Sequence, residues 1–198
     1  AEEGKRTLAR IEQKRRNVAG AAKLRGDNWR DLNRERRRRY QEEGRQRARL
    51  KEATHLAGCM LYWAEGSKDR NSVVLTNSDP HLLRFFRQFL RSDLRVIDTD
   101  LSIRLNVYLG NGLALGEIEE YWLSVLELPR TALRKHSVNH LPTSSSGRKK
   151  NALPYGVCTI RVSRSTRLVQ HIYGAIQEYA GFAEPRWLAG MYRRVASP

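Results

Sequence analysis

The 198 residues include 37 Lys and Arg against 21 Asp and Glu, a formal net charge of +16 with a pI near 10.5, and 40% are hydrophobic. That length and apolar content suit one domain of ordinary size with its own core plus an appendage, independent of disulfides or metals. No apolar run approaches the roughly 18 residues of a bilayer span and the chain opens on charged residues rather than a signal-peptide core, so a soluble, cytoplasmic protein with no membrane partner is expected, and its charge points to a polyanion, nucleic acid first.

The basic excess is densest at the start, where residues 1–54 hold eighteen Lys and Arg against nine Asp and Glu. This segment reads as helix or disorder: strand formers are few, and Leu8, Ile11, Val18, Ala22, Trp29, Leu32 and Tyr40 are too sparse for a full core stripe. Its arginine clusters, Arg34, Arg36, Arg37, Arg38 and Arg39, then Arg45, Arg47 and Arg49, suit a phosphate backbone. A lone Trp29 in so polar a stretch is expected to dock on something.

Residues 55–65 then form an apolar helix that closes on Glu65, Gly66 and Ser67. Such a run should be buried, which makes the carboxylate at its last turn the first residue to explain. After a turn at 67–70, residues 72–77 read as a strand. Ser78 or Asp79 caps the next helix, Pro80 suits its first turn, and Leu82, Phe85, Phe86 and Phe89 form its packing face. Residues 101–109 alternate, with Leu101, Ile103, Leu105, Val107 and Leu109 inward and Ser102, Arg104, Asn106 and Tyr108 outward. A sheet with one arginine-bearing polar face is a candidate for reading a groove.

A second amphipathic helix spans 113–128, with Ile118, Tyr121, Trp122 and Val125 on its apolar side and Pro129 after it. Residues 130–156, rich in Ser, Gly and basic residues, read as a mobile cationic loop. There His136 and His140 fit loop residues beside phosphate better than a zinc site, since no Cys-x-x-Cys accompanies them. Residues 157–163 form another strand and 165–179 another helix, with Leu168, Val169, Ile172, Tyr173 and Ile176 inward, and residues 181–198 are a tail. Cys59 and Cys158 both sit in apolar runs, as buried free thiols do.

Two stretches share a layout: residues 73–86 align with 160–173 at an offset of 87, and Tyr62-Trp63 with Tyr121-Trp122 at an offset of 59. The domain at 55–180 therefore reads as two pseudo-repeats, about 55–110 and 111–180, the second carrying the longer insertion.

A helix that ends in Ala64, Glu65, Gly66 and Ser67, followed by strand, helix and strand, resembles the LAGLIDADG homing-endonuclease family. Leu61, Ala64, Glu65, Gly66 and Ser67 match the family's Leu, Ala, acid, Gly and following Ser, whereas Met60 replaces its small residue and Trp63 its first Asp-type position. The resemblance implies an α/β (α+β) fold of pseudo-symmetric αββα repeats, its curved sheets forming a basic saddle on double-stranded DNA. It also implies two motif helices side by side, each giving one carboxylate to a shared Mg²⁺ site that activates water for in-line attack. Glu65 is the catalytic and metal-binding candidate, but the repeat sets Ser124 opposite it, so one chain holds half a site. The expected function is accordingly sequence-specific DNA binding without cleavage by a nucleoid-associated regulator of the phage or mobile-element repressor type. The alternatives are an active Mg²⁺-dependent endonuclease, its site rebuilt by a homodimer, and an RNA-binding protein.

On this reading Arg104, Arg161 and Arg164 project toward the groove, where arginine pairs with guanine edges. The arm arginines and Arg148, Lys149 and Lys150 hold phosphates, and Lys68, Arg70, Arg134 and Lys135 complete the basic surface.

Overall fold

The computed structural model describes residues 2–109, 112–139 and 153–189, with side chains from residue 10 onward apart from residues 11, 12 and 189. It is mixed helix and sheet: α1 (Glu2–Ala48), α2 (Ala53–Glu65), β1 (Val74–Asn77), α3 (Pro80–Ser92), β2 (Leu101–Val107), α4 (Leu115–Leu126), β3 (Ser137–Val138), β4 (Val157–Val162), α5 (Thr166–Ala180) and α6 (Arg186–Ala189).

The strands form one sheet in the order β1-β4-β2-β3. β4 is antiparallel to both neighbours, with Ile160 opposite Leu75 on one side and Ile103 on the other, and β3 lies parallel on the far edge of β2. The alternation expected of 101–109 holds through β2: Leu101, Ile103, Leu105 and Val107 are buried, and Arg104 and Asn106 are exposed. Cys158, Ile160 and Val162 repeat the pattern on β4, so the whole sheet has one apolar and one polar face.

Helices cover the apolar face. Asp79 caps α3 by accepting from the backbone N–H of His81 and Leu82, as the sequence predicts. Leu83, Phe86, Phe89 and Leu90 then point inward, while Leu82 and Phe85 are only half-buried. Tyr62 of α2 stacks on Phe86, and Tyr173 of α5 stacks on Trp187 of α6 with centroids 4.5 Å apart. Both cysteines are buried and free; burial pushes the Cys158 thiol up to about 12 and Cys59 higher still.

The opening helix departs from expectation. Only His55, Gly58, Cys59 and Tyr62 of α2 are buried, and Leu56 and Trp63 are both 39% exposed. One face packs on α3 and α5, and nothing among the described residues covers the stripe of Leu56, Ala57 and Ala64.

The arm is a continuous helix of 47 residues, about 70 Å long at 1.5 Å per residue. Its last turns belong to the core rather than to an appendage: Gln41, Gly44 and Ala48 are buried against α5. The buried amides are satisfied in a chain, with Gln41 Nε2 donating to Gln170 Oε1 (2.8 Å) and Gln177 Nε2 donating to Gln41 Oε1 (3.2 Å). α5 is thereby enclosed between α1 and the rest of the helical layer, so α1 stands behind α5 and away from the sheet's polar face.

Two further expectations change. Residues 130–156 contain a 3₁₀ turn at Arg130–Ala132 and the edge strand β3, because backbone pairing to β2 is open there; residues 140–152, with His140, Arg148, Lys149 and Lys150, lie outside the described residues. The strands equated by the repeat, β1 and β4, are neighbours in one sheet with Val74 opposite Arg161. The helices it equates do not pair as the resemblance implies: α2 packs mainly on α5 and α3, and α4 on α3.

Candidate nucleic-acid interface

The polar face of the sheet is built by the two-residue period of its strands. It presents Thr76 from β1, Thr159 and Arg161 from β4, Ser102, Arg104 and Asn106 from β2, and Ser137 from β3, around a shallow cavity of about 320 Å³ that Arg134 also lines. Register sets Arg104 beside Thr159 and Ser102 beside Arg161, so the two arginines stand on adjacent strands two residue steps apart. Four strands at about 4.8 Å spacing make a surface about 14 Å across.

Neighbours hold these groups in place. Arg104 donates to Ser137 Oγ, Thr76 and Thr159 share a hydroxyl hydrogen bond of 2.9 Å, and Ser102 Oγ donates to the Arg161 carbonyl (3.4 Å). Arg104, Arg134 and Arg161 are exposed, and no acidic residue lines the cavity. The face can therefore offer guanidinium, hydroxyl and amide groups to a polyanion without first breaking an ion pair there.

His136 has a different role from that expected. Its Nδ1 accepts from the Leu105 N–H (3.1 Å) and its Nε2 lies 3.1 Å from Glu119 Oε1, so it clamps the segment before β3 between β2 and α4. The side chain is only 9% exposed and is spent on these two contacts.

The remaining basic candidates are dispersed. Arg164, at the turn after β4, has a side chain 91% exposed, 3.7 Å from Asp100. The ammonium of Lys68 caps the end of α2 by donating to the carbonyls of Trp63 and Gly66, and burial lowers its pKa although Glu65 opposes the shift. Lys135 is exposed. On α1, Arg45 pairs with Glu42 (3.4 Å), Arg47 with Glu52 and Arg49 with Glu178 (2.9 Å). Arg38 pairs with Glu35 (3.4 Å), and Arg36 and Arg39 face solvent. Arg34, Arg37 and Arg70 converge on a second cavity, with Trp29 at its edge.

Glu65 is exposed, and Asn77 Nδ2 donates to its Oε2 at 3.3 Å. Ser124, its counterpart in the repeat, is exposed on α4. Among the described residues no three His, Cys, Asp or Glu side chains are grouped so as to hold a metal ion, so a metal at Glu65 would need ligands from beyond this set.

The buried polar groups were not legible beforehand. His55 Nδ1 lies 2.8 Å from the Tyr179 hydroxyl and its Nε2 3.0 Å from His171 Nε2. Burial lowers the pKa of both imidazoles, that of His171 to about 4 with His55, Arg167 and Arg47 adding to the effect. Arg87, 7% exposed, reaches from α3 to Glu127, the left-handed residue ending α4, through the carboxylate (2.6 Å) and the carbonyl (2.9 Å).

Compared with models of known protein families, with curated proteins and with solved structures, the chain shows no match.

Proposed function

We propose that the chain is a sequence-specific double-stranded DNA-binding protein, a regulator of the repressor type built on a LAGLIDADG-like fold whose second catalytic acid has been lost. The observation that carries this reading is the polar sheet face, where Arg104, Arg134 and Arg161 stand among Ser, Thr and Asn side chains with no carboxylate in the cavity. Arg104 and Arg161 stand on the adjacent strands β2 and β4, a two-stranded ribbon is what a major groove about 12 Å wide admits, and arginine and asparagine are the side chains that read guanine and adenine edges there. The net charge of +16 supplies attraction that does not depend on sequence. The repeat equates Ser124 with Glu65, and no metal-holding cluster stands among the described residues, which favours binding over cleavage, and the reading places the protein with the DNA of the cell rather than at a membrane. Competition tests it: a duplex library should displace labelled duplex at lower concentration than structured RNA does, and the reverse order would favour an RNA partner.

A second reading is favoured by the open stripe on α2. If two chains met through Leu56, Ala57 and Ala64, their two Glu65 carboxylates would face a common metal, giving a dimeric Mg²⁺-dependent endonuclease. Incubation of duplex DNA with Mg²⁺ separates the two: no cutting is expected, and double-strand cuts abolished by Glu65→Gln would establish the nuclease.

A further inference from the structure

The second cavity, of about 230 Å³, lies where α1 passes α6 and the turn before β1. Its walls include the side chains of Trp29, Arg30, Arg34 and Arg37 from successive turns of α1, with Arg70 and Leu188 facing them. The positions are fixed from behind. Gln170 Nε2 donates to the backbone carbonyls of Arg70 (2.9 Å) and Trp187 (3.0 Å), and Arg37 Nη1 donates to the Leu188 carbonyl (3.2 Å).

The charge of this cavity is one-sided. No acidic residue lines it; Asp27 and Asp31 pair with Arg30 and, at 3.8 Å, with Arg34 along the helix. Arg37 Nε is buried there without a hydrogen-bond partner among the described residues, and burial, then Arg70 and Arg34, lower the Arg37 pKa. Arginines drawn together in a fixed concavity with an unused buried donor make a site for an anion that brings several acceptor oxygens, and phosphate does. At the edge Trp29 is 65% exposed, an indole held at the site by a helix and covered by nothing among the described residues.

We propose that this cavity binds an unpaired nucleotide of a single-stranded nucleic-acid segment, Arg34, Arg37 and Arg70 holding its phosphate and Trp29 stacking on its base. The proposal rests on the reading that the chain's partner is a nucleic acid, and it adds a second contact of different chemistry. In a duplex the phosphates reach the arginines but the paired bases are withheld from the indole, whereas a single strand offers both. The site is separate from the polar sheet face, being built by α1, α6 and the turn before β1.

The test uses the full chain with a labelled octamer of deoxythymidine and, separately, a blunt duplex, read by anisotropy and by tryptophan emission. Wild type should bind the octamer saturably with quenching of emission. Trp29→Ala and Arg37→Gln should each weaken the octamer about tenfold, Trp29→Ala removing most of the quenching while leaving duplex affinity within about twofold. Trp29 projects from the protein, so its replacement leaves the fold intact by circular dichroism. Failure of wild type to bind the octamer, or equal octamer binding by both variants, would overturn the pocket. The sheet is tested independently by Arg104→Ala with Arg161→Ala: an unchanged sequence preference among duplexes in that variant, alongside octamer binding lost in Trp29→Ala and Arg37→Gln, would refute the sheet reading and support the pocket.

Discussion

Gly44 of α1 lies so close to the His171 carbonyl of α5 that a Cβ at position 44 would stand 1.9 Å from the carbonyl oxygen. Gly174 meets Gln41 in the same way, so the two helices cross with backbones in contact and neither position accepts a side chain. Gly44→Ala should therefore cost more than about 3 kcal/mol in denaturant unfolding, because a backbone carbonyl cannot swing aside. Gly20→Ala, with nothing within 4 Å, should instead stabilise the helix by about 0.5–1 kcal/mol.

The buried pair His55 and His171 predicts acid sensitivity. Both imidazoles are held neutral when folded, His171 down to about 4, whereas the unfolded chain takes up protons near 6.5. Their contribution is complete above pH 6.5 and is lost as pH falls toward 4; His171 alone accounts for about 2 kcal/mol between pH 7 and pH 5. Thermal melts across that range should drop by several degrees. The drop should be smaller in His171→Gln, and an identical pH slope in the two proteins would contradict the assignment.

His136 links stability to the polar face. His136→Ala leaves the Leu105 N–H without its acceptor, at a cost of about 1–3 kcal/mol. It also loosens β3, whose Ser137 hydroxyl accepts from Arg104. Duplex affinity is expected to fall in a protein that still folds, with faster hydrogen exchange at Leu105 and at Asn139, whose N–H donates to the Val107 carbonyl.

Arginines of α1 should divide by their partners. Arg36 and Arg39 face solvent, and replacing both by Ala should reduce the slope of log affinity against log salt by about 2 if each holds a phosphate. Arg49, already on Glu178, should change the slope little, and its exposed ion pair should be worth no more than about 1 kcal/mol. Equal slope changes for the two sets would show that the pairing seen here does not govern contact with DNA.

The pattern of β2 and the cap at Asp79 were legible because period and capping are local properties of the chain. The polar face followed from the same alternation, since Arg104 and Arg161 each sit between buried neighbours. What could not be read was set by distant pairs: Gln41 with Gln170, His55 with His171, Arg37 with Leu188. Gly44 and Gly174 were the one local sign that two helices cross closely, and they look like ordinary helix breakers until the crossing is seen. The apolar run at 55–65 misled because hydrophobicity predicts burial on average, whereas a helix on the outside of a layer covers only one face.

Central to the account is that the sheet reads sequence, and selection from a random duplex library tests it most directly. Wild type should enrich a defined motif, while Arg104→Ala with Arg161→Ala should still bind duplex through its remaining basic surface but lose the preference at particular positions. Recovery of the same motif by both proteins, or of none by wild type, would contradict it.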